Sequence, residues 1–193
     1  PIEGLRESNP VFKGLTMTLY QISFPEGLEE SKSKQLKELI SGMEQFYAGM
    51  LSVADAGSLA QYFTIELAVE NHSDEFIFYA AVPDSKKNLF EKQLLSIFPD
   101  ASLVLQPADY NVFVSGGTTL TSTAMLAEHP VLPLTDYTEF DQDPLNAIIN
   151  AFAKIEHAGE GAALQIIIEP RAERHVKHYR KILQALRKGE KRS

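Results

Sequence analysis

From residue 15 to residue 107 the spacing of apolar side chains switches between a period of about two and a period of about 3.6, and that switching restricts the fold more than any other feature. The run LTMTLYQISF (15–24) alternates as a strand does, with Leu15, Met17 and Leu19 on one face and Tyr20, Ile22 and Phe24 shifted to the other. The slip at Leu19–Tyr20 predicts either a bulge or burial on both faces. Pro25-Glu26-Gly27 then breaks the strand. From Ser31 to Leu51 the period lengthens, and Leu36, Leu39, Ile40, Met43, Phe46, Tyr47, Met50 and Leu51 fall on one stripe of a helix. A small-residue loop, 52–60, leads into QYFTIELAVE and EFIFYAAVP, separated by the turn residues Asn71-His72-Ser73-Asp74. These two runs predict an antiparallel hairpin. Pro83 ends the second, and Asp84 or Ser85 is placed to cap a helix whose stripe is Phe90, Leu94, Ile97 and Phe98. ASLVLQP (101–107) supplies one more strand.

The resulting order of strand, helix, strand, strand, helix, strand is that of the ferredoxin-like βαββαβ unit, an antiparallel sheet covered on one face by two helices. Residues 11–107 are therefore expected to form one ferredoxin-like half of an α+β fold. Further on, TTLTSTAMLAEH (118–129) is a Thr-rich strand candidate. Asp143 is expected to cap a helix with Pro144 at its first position, and Leu145, Ile148, Ile149, Phe152 and Ile155 form its stripe. His157-Ala158-Gly159 closes that helix. EGAALQIIIEP (160–170) then reads as a nearly uncharged central strand stopped by Pro170. A helix over 172–188 follows, with Val176, Tyr179, Leu183 and Leu186 on one stripe and Gly189 at its end. Residues 118–189 thus make a second, incomplete half of βαβα order, and 190–193 a tail or linker. The second half lacks strands, which are expected from a partner, from a later part of a longer chain, or from the sheet of the first half. A chain that begins at Pro1 is itself expected to be part of something longer.

Charge narrows the function classes. The net charge is −8, yet residues 171–193 carry nine Lys and Arg against Glu173 and Glu190, leaving −15 on the other 170 residues. A body so acidic repels nucleic acid through its general field, and only the tail attracts it. Arg174, Lys177, Arg180, Lys181, Arg187 and Lys188 are the candidate contacts to nucleic acid or an anionic surface, against the simpler reading of a solvated helix face. Cysteine is absent, which excludes disulfides and thiolate metal sites. With 193 residues and 44% hydrophobic content, a single core suffices without such staples. No run reaches the roughly 20 apolar residues of a membrane helix.

Reactive motifs are missing. Gly116-Gly117 runs into Thr118-Thr119 with no lysine, so it reads as a turn rather than a phosphate loop. His175 and His178 lie three apart on the basic helix, where the surrounding cations disfavour a metal dication. Asp136, Glu139, Asp141 and Asp143 do not have the spacing of a calcium loop. Asn71-His72-Ser73 matches a glycosylation sequon but reads first as a turn. The aromatic strand EFIFYAAV departs from the RNA-recognition signature, and Glu66 and Glu75 would stand against passing phosphates. Accordingly no catalytic residue, cofactor or metal ligand is assigned.

Three stretches in sequence, FTIELAVENHSDEFIFYAAVP (63–83), FEKQLLSIFPDASL (90–103) and DPLNAIINAFAKIEHAGEGAALQIIIEP (143–170), resemble the N-terminal region of a known family. That family is the large, membrane-associated ATPases of the type IV secretion and conjugation coupling-protein class, found in bacteria with reduced genomes. The matching positions are Phe63, Glu66, Phe78, Tyr79 and Pro83, then Glu91, Gln93, Pro99, Asp100 and Ala101. In the third stretch they are Asp143, Pro144, Leu145, Glu160, Gly161, Gln165 and Pro170. The resemblance implies a non-catalytic accessory or assembly domain in the cytoplasm, held near the membrane through a parent chain. Its implied partners are the parent's RecA-like motor domain or other secretion-system subunits, and whether the chain forms an oligomer stays open. Glu169 stands where the family often has a basic or aromatic residue, which counts against a phosphate contact there. Two other readings stay open: a nucleic-acid-binding module using the basic helix, and a regulatory ferredoxin-like domain with a ligand between its halves.

Overall fold

A computed structural model describes residues 16–24, 32–51, 62–73, 75–108, 112, 115–127, 132, 139, 145–156, 159–170 and 174–188, the side chains of 32–40, 174–176 and 186 excepted. The elements are β1 (Met17–Ser23), α1 (Lys32–Met50), β2 (Phe63–Val69), β3 (Ile77–Pro83), α2 (Lys87–Ile97), β4 (Ser102–Leu105), α3 (Asn146–Phe152), β5 (Ala162–Ile168) and α4 (Arg174–Arg187). The five strands form one antiparallel sheet in the order β4-β1-β3-β2-β5, giving a mixed α+β fold. Among the described residues no helix is long and apolar enough to cross a membrane.

Strand β1 pairs with β3 in unbroken register from Met17↔Pro83 to Ile22↔Phe78, so it has no bulge there. The slip in its pattern instead reflects a strand occupied on both faces. Tyr20 and Ile22 are buried under the helices, while Leu19 is half-buried on the opposite side. The main core lies between that helix-bearing face and the pair α1 and α2, and joins Tyr20, Ile22, Phe63, Ala80 and Val82 to Phe46, Met50, Phe90 and Leu94. Phe46 stands at its centre, edge-on to Phe63 at 6.2 Å and to Phe90 at 5.8 Å. Phe90 in turn stacks on Tyr20 at 5.5 Å. Each such fully buried ring contributes roughly 1.5–3 kcal/mol of transfer free energy.

Two glycines set how closely the helices approach. Gly42 and Gly49 are seven apart on α1 and so share a face. A Cβ on Gly42 would lie 2.6 Å from Ile97 Cγ2, and one on Gly49 would run into the Gln93 side chain. Glycine inside a helix costs about 1 kcal/mol against alanine, a cost offset here by the close contact of α1 with α2.

Several expectations are corrected. On α1, Phe46 and Met50 are buried but Tyr47 is 40% and Leu51 58% exposed, so the apolar stripe is narrower than its sequence suggests. Neither Asp84 nor Ser85 caps α2: both lie in a 3-10 turn, Lys86 is the N-cap, and the Asp84 carboxylate accepts the Thr18 hydroxyl. The strand candidate 118–129 forms no ladder over its described part, 118–127; residues 117–126 carry no regular structure, and every residue from Ser115 to Ala127 is exposed. A strand pattern chooses a face but needs an edge to pair with, and this segment meets none among the described residues. Helix α3 begins only at Asn146, with Leu145 as its N-cap and no side-chain cap; Asp143 and Pro144 lie outside the described residues. Its stripe is covered in part, for Leu145 is 44% exposed and the remaining positions are half-buried.

Where two sheets were expected, the described strands build one. β5, from the second predicted half, adds to the outer edge of β2 in register from Phe63↔Ile168 to Val69↔Ala162. Of the three sources proposed for the missing pairing, the first half's sheet is therefore the one β5 uses. It is an edge strand rather than a central one, and its burial is correspondingly slight.

Candidate functional site

The face of the sheet turned away from α1 and α2 carries a polar row. Cross-strand pairing aligns Gln21 of β1, Tyr79 of β3, Glu66 of β2 and Gln165 of β5 side by side. Directly opposed residues point to the same face, so four polar side chains from four strands meet on one line. Glu66 is only 5% exposed, and a buried carboxylate requires hydrogen-bond donors. It has them: Thr64 Oγ1 donates to Glu66 Oε1 at 2.6 Å and Gln165 Nε2 donates to the same oxygen at 2.9 Å. Thr64 Oγ1 also accepts from the Ala81 backbone N–H at 3.3 Å. The Tyr79 hydroxyl donates to Glu70 Oε1 at 2.6 Å, and Gln106 Nε2 donates to Gln21 Oε1 at 2.7 Å.

These partners decide what the row can do. A carboxylate held by two side chains from its own sheet ties strands together, and its donors compete with any substrate for the lone pairs. The aromatics of EFIFYAAV are each buried or paired with another ring. Tyr79 is 3% exposed, Phe78 lies on the helix side edge-on to Phe24 at 6.1 Å, and Phe76 stacks on Phe152 at 6.4 Å. The sequence presents Glu66 as an obstacle to phosphates and as a position of the family resemblance, but not as a tie across the sheet. The signal that would have found its role is a charge at an inward position of a strand, which demands a partner across the sheet.

The loops at one end of the sheet are pinned by similar means. His72 adopts a positive φ of 65° in the β2–β3 turn, where Ser73 N–H donates to Glu70 O at 3.1 Å. Asn71 Oδ1 accepts from Gly159 N–H at 2.8 Å, which attaches the loop before β5 to that turn. The Asn71 side chain of the apparent sequon is thus engaged within the fold.

Helix α4 gathers the predicted cations. Arg174, Lys177, Lys181 and Lys188 recur at spacings of three, four and seven, which places them along one face, and Arg180 and Arg187 run along its flank. Lys177, Arg180, Lys181, Arg187 and Lys188 are exposed, whereas the Arg174 side chain lies outside the described residues. Tyr179, Ile182 and Leu183 occupy the opposite face and are half-buried. Fourteen residues make a helix of about 21 Å, so the cations are spread along a line suited to a polyanion or a plane of headgroups. His178 is exposed beside the Tyr179 ring at 5.9 Å. Among the described residues no group of three His, Asp or Glu gathers as metal ligands would.

One titratable group in the core has a marked shift. Burial and the hydrogen bond that Tyr20 donates to Glu91 Oε1 at 2.6 Å hold the Tyr20 phenol well above its ordinary value of 10.0. The folded state then keeps this proton where the unfolded chain loses it. The Tyr20 contribution to stability is fully present below about pH 10 and is lost as pH rises beyond. Tyr20→Phe is expected to lose about 0.5–1.5 kcal/mol at neutral pH while flattening that alkaline decline. Urea unfolding of both proteins at neutral pH and above pH 10 checks it, and parallel alkaline slopes would contradict it.

In comparisons with known proteins, no family model, no curated protein and no solved structure matches the chain.

Proposed function

We propose that the chain is a non-catalytic accessory or assembly domain of a type IV secretion-like ATPase that translocates DNA or protein. The observation that carries this reading is the Glu66–Gln165 hydrogen bond. These two positions come from separate stretches of the resemblance, 99 residues apart, and they meet in one sheet. Other matching positions also serve the fold. Phe63 is in the core, Glu91 accepts from Tyr20, Gln93 lies against Gly49, and Ala101 is buried. Positions that resemble a family and hold a scaffold together fit a domain that supports a motor rather than one that performs chemistry.

The finer fold reading belongs here too. The element order β1-α1-β2-β3-α2-β4 with strand order β4-β1-β3-β2 is what a ferredoxin-like half would show, and β5 extends it by one strand. On this reading α4 leads from the sheet toward the motor, and its cations face the anionic partner or membrane surface beside which such motors work.

The test is enzymatic. Purified chain is expected to hydrolyse no ATP above background, and to change the hydrolysis rate or assembly state of the motor encoded with it. Motor-like hydrolysis by the chain alone, or a motor indifferent to it, would overturn the proposal. The exposed cations of α4 favour a second reading, a nucleic-acid-binding module. Steeply salt-dependent binding of duplex DNA, abolished by alanine at Lys177, Arg180, Lys181 and Lys188, would put that reading in first place.

A further inference from the structure

The fold contains two unfinished parts that complement each other. One is the outer edge of β5, which has no neighbour beyond it among the described residues. This strand is seven residues long, uncharged from Gly161 to Ile168, and leaves Ile166 48% and Ile167 62% exposed. Natural sheets protect such an edge with charge, proline or a bulge, and within β5 none of these occurs. The opposite edge differs. β4 has only four residues, is followed by Pro107, and is tied to β1 through Gln106.

The other part is the segment Thr118–Leu126, TTLTSTAML. Its pattern is that of a strand, with Leu120, Ala124 and Leu126 on one face and Thr119, Thr121, Thr123 and Met125 on the other. Yet it pairs with no strand among the described residues, and Leu120 is 93% and Met125 85% exposed. The chain from Ser115 to Ala127 carries no charge either. In a molecule of net charge −8, two neutral stretches approach each other without like-charge repulsion between them.

We propose that residues 118–126 are an exchanged strand, which adds to the free edge of β5 in a second copy of this chain while the second copy returns its own. Laid as a strand, nine residues span about 30 Å against about 23 Å for β5, so the segment covers the whole edge. Leu120, Ala124 and Leu126 join Ile166 on the helix side of the sheet, and the threonines line up beside Gln165 on the other side. Val112 and Gly116 precede the exchanged strand. Val112 is packed against Gly161 at the start of β5, its carbonyl oxygen 2.7 Å from where a Cβ would stand. Gly116 then turns the chain with a φ of +78°, which glycine alone takes at no cost. Reciprocal exchange of an identical element closes a two-fold dimer and leaves neither β5 edge exposed. The inference does not depend on the ATPase reading.

Because the chain has no cysteine, copies can be distinguished directly. Gln165→Cys protein is mixed with Thr119→Cys, Thr121→Cys or Thr123→Cys protein and oxidised. One mixture is expected to give a dominant cross-linked pair holding one copy of each. Unmodified chain is expected to sediment with the mass of two copies. Leu120→Lys with Met125→Lys, both at exposed positions, is expected to sediment as one copy with its helical circular dichroism unchanged. A single-copy mass for the unmodified chain would overturn the proposal. So would a dimer that survives the two lysines, since β5 would then be pairing otherwise. Cross-linking confined to one chain in a Thr121→Cys, Gln165→Cys double variant would show the segment on its own β5, with the same consequence.

Discussion

Phe46→Ala is expected to lower the unfolding free energy by about 3–5 kcal/mol, because it empties the middle of a core that cannot close over the gap. Phe46 is 1% exposed and lies edge-on to Phe63 and Phe90, which are themselves 1% exposed. The ring links α1, β2 and α2, so its loss leaves surfaces on three elements facing a cavity. Leu51→Ala is the matched control. Sequence periodicity puts both residues on one helical stripe, but Leu51 is 58% exposed and its truncation is expected to change stability by about 0.5 kcal/mol or less. Denaturant unfolding measures both. Similar costs for the two variants would mean that α1 is rotated from the orientation described.

Replacement of Glu66 by alanine is expected to cost about 1–3 kcal/mol, since it removes the acceptor of a buried hydroxyl. Thr64, 3% exposed, then keeps a donor whose acceptor is gone. Gln165 is exposed and recovers water, so Gln165→Ala is expected to cost less than Glu66→Ala. A double-mutant cycle on the pair separates their mutual contribution from these losses, and a coupling of about 0.5 kcal/mol or more is expected. Glu66→Gln retains an acceptor and is expected to fall between wild type and alanine. Zero coupling would remove the hydrogen bond that supports the functional proposal, while leaving strand exchange untouched.

The two halves of the molecule differ in how much of them was legible. Alternation along 63–69 and 77–83 specified a hairpin because adjacent strands joined by a turn have few other ways to pair. The 3.6 period likewise placed Phe46, Met50, Phe90 and Leu94 toward the core. For the second half the same kind of pattern misled. TTLTSTAML and AALQIII both alternate or run apolar as strands do, yet only the latter found an edge. The polar row was invisible for a related reason, since Gln21, Tyr79, Glu66 and Gln165 have no spacing in sequence that announces a line. Gly42 and Gly49 gave no warning either, as their purpose lies in Ile97 and Gln93 on another helix. The candidate cations on α4 were legible because charge and helical period are both local.

Taken alone, the sequence determined which segments become strands and helices in 16–108, which faces of them are apolar, and where the charge collects. Those are properties of neighbours along the chain, set by dihedral preference and side-chain period within a few residues. Tertiary structure decided which edge receives β5, that Glu66 is buried with partners, and that a strand-like segment joins no other strand among the described residues. Such outcomes depend on which hydrogen-bonding edges remain open once the core has closed, and an edge is defined only when two distant parts of the chain have come together.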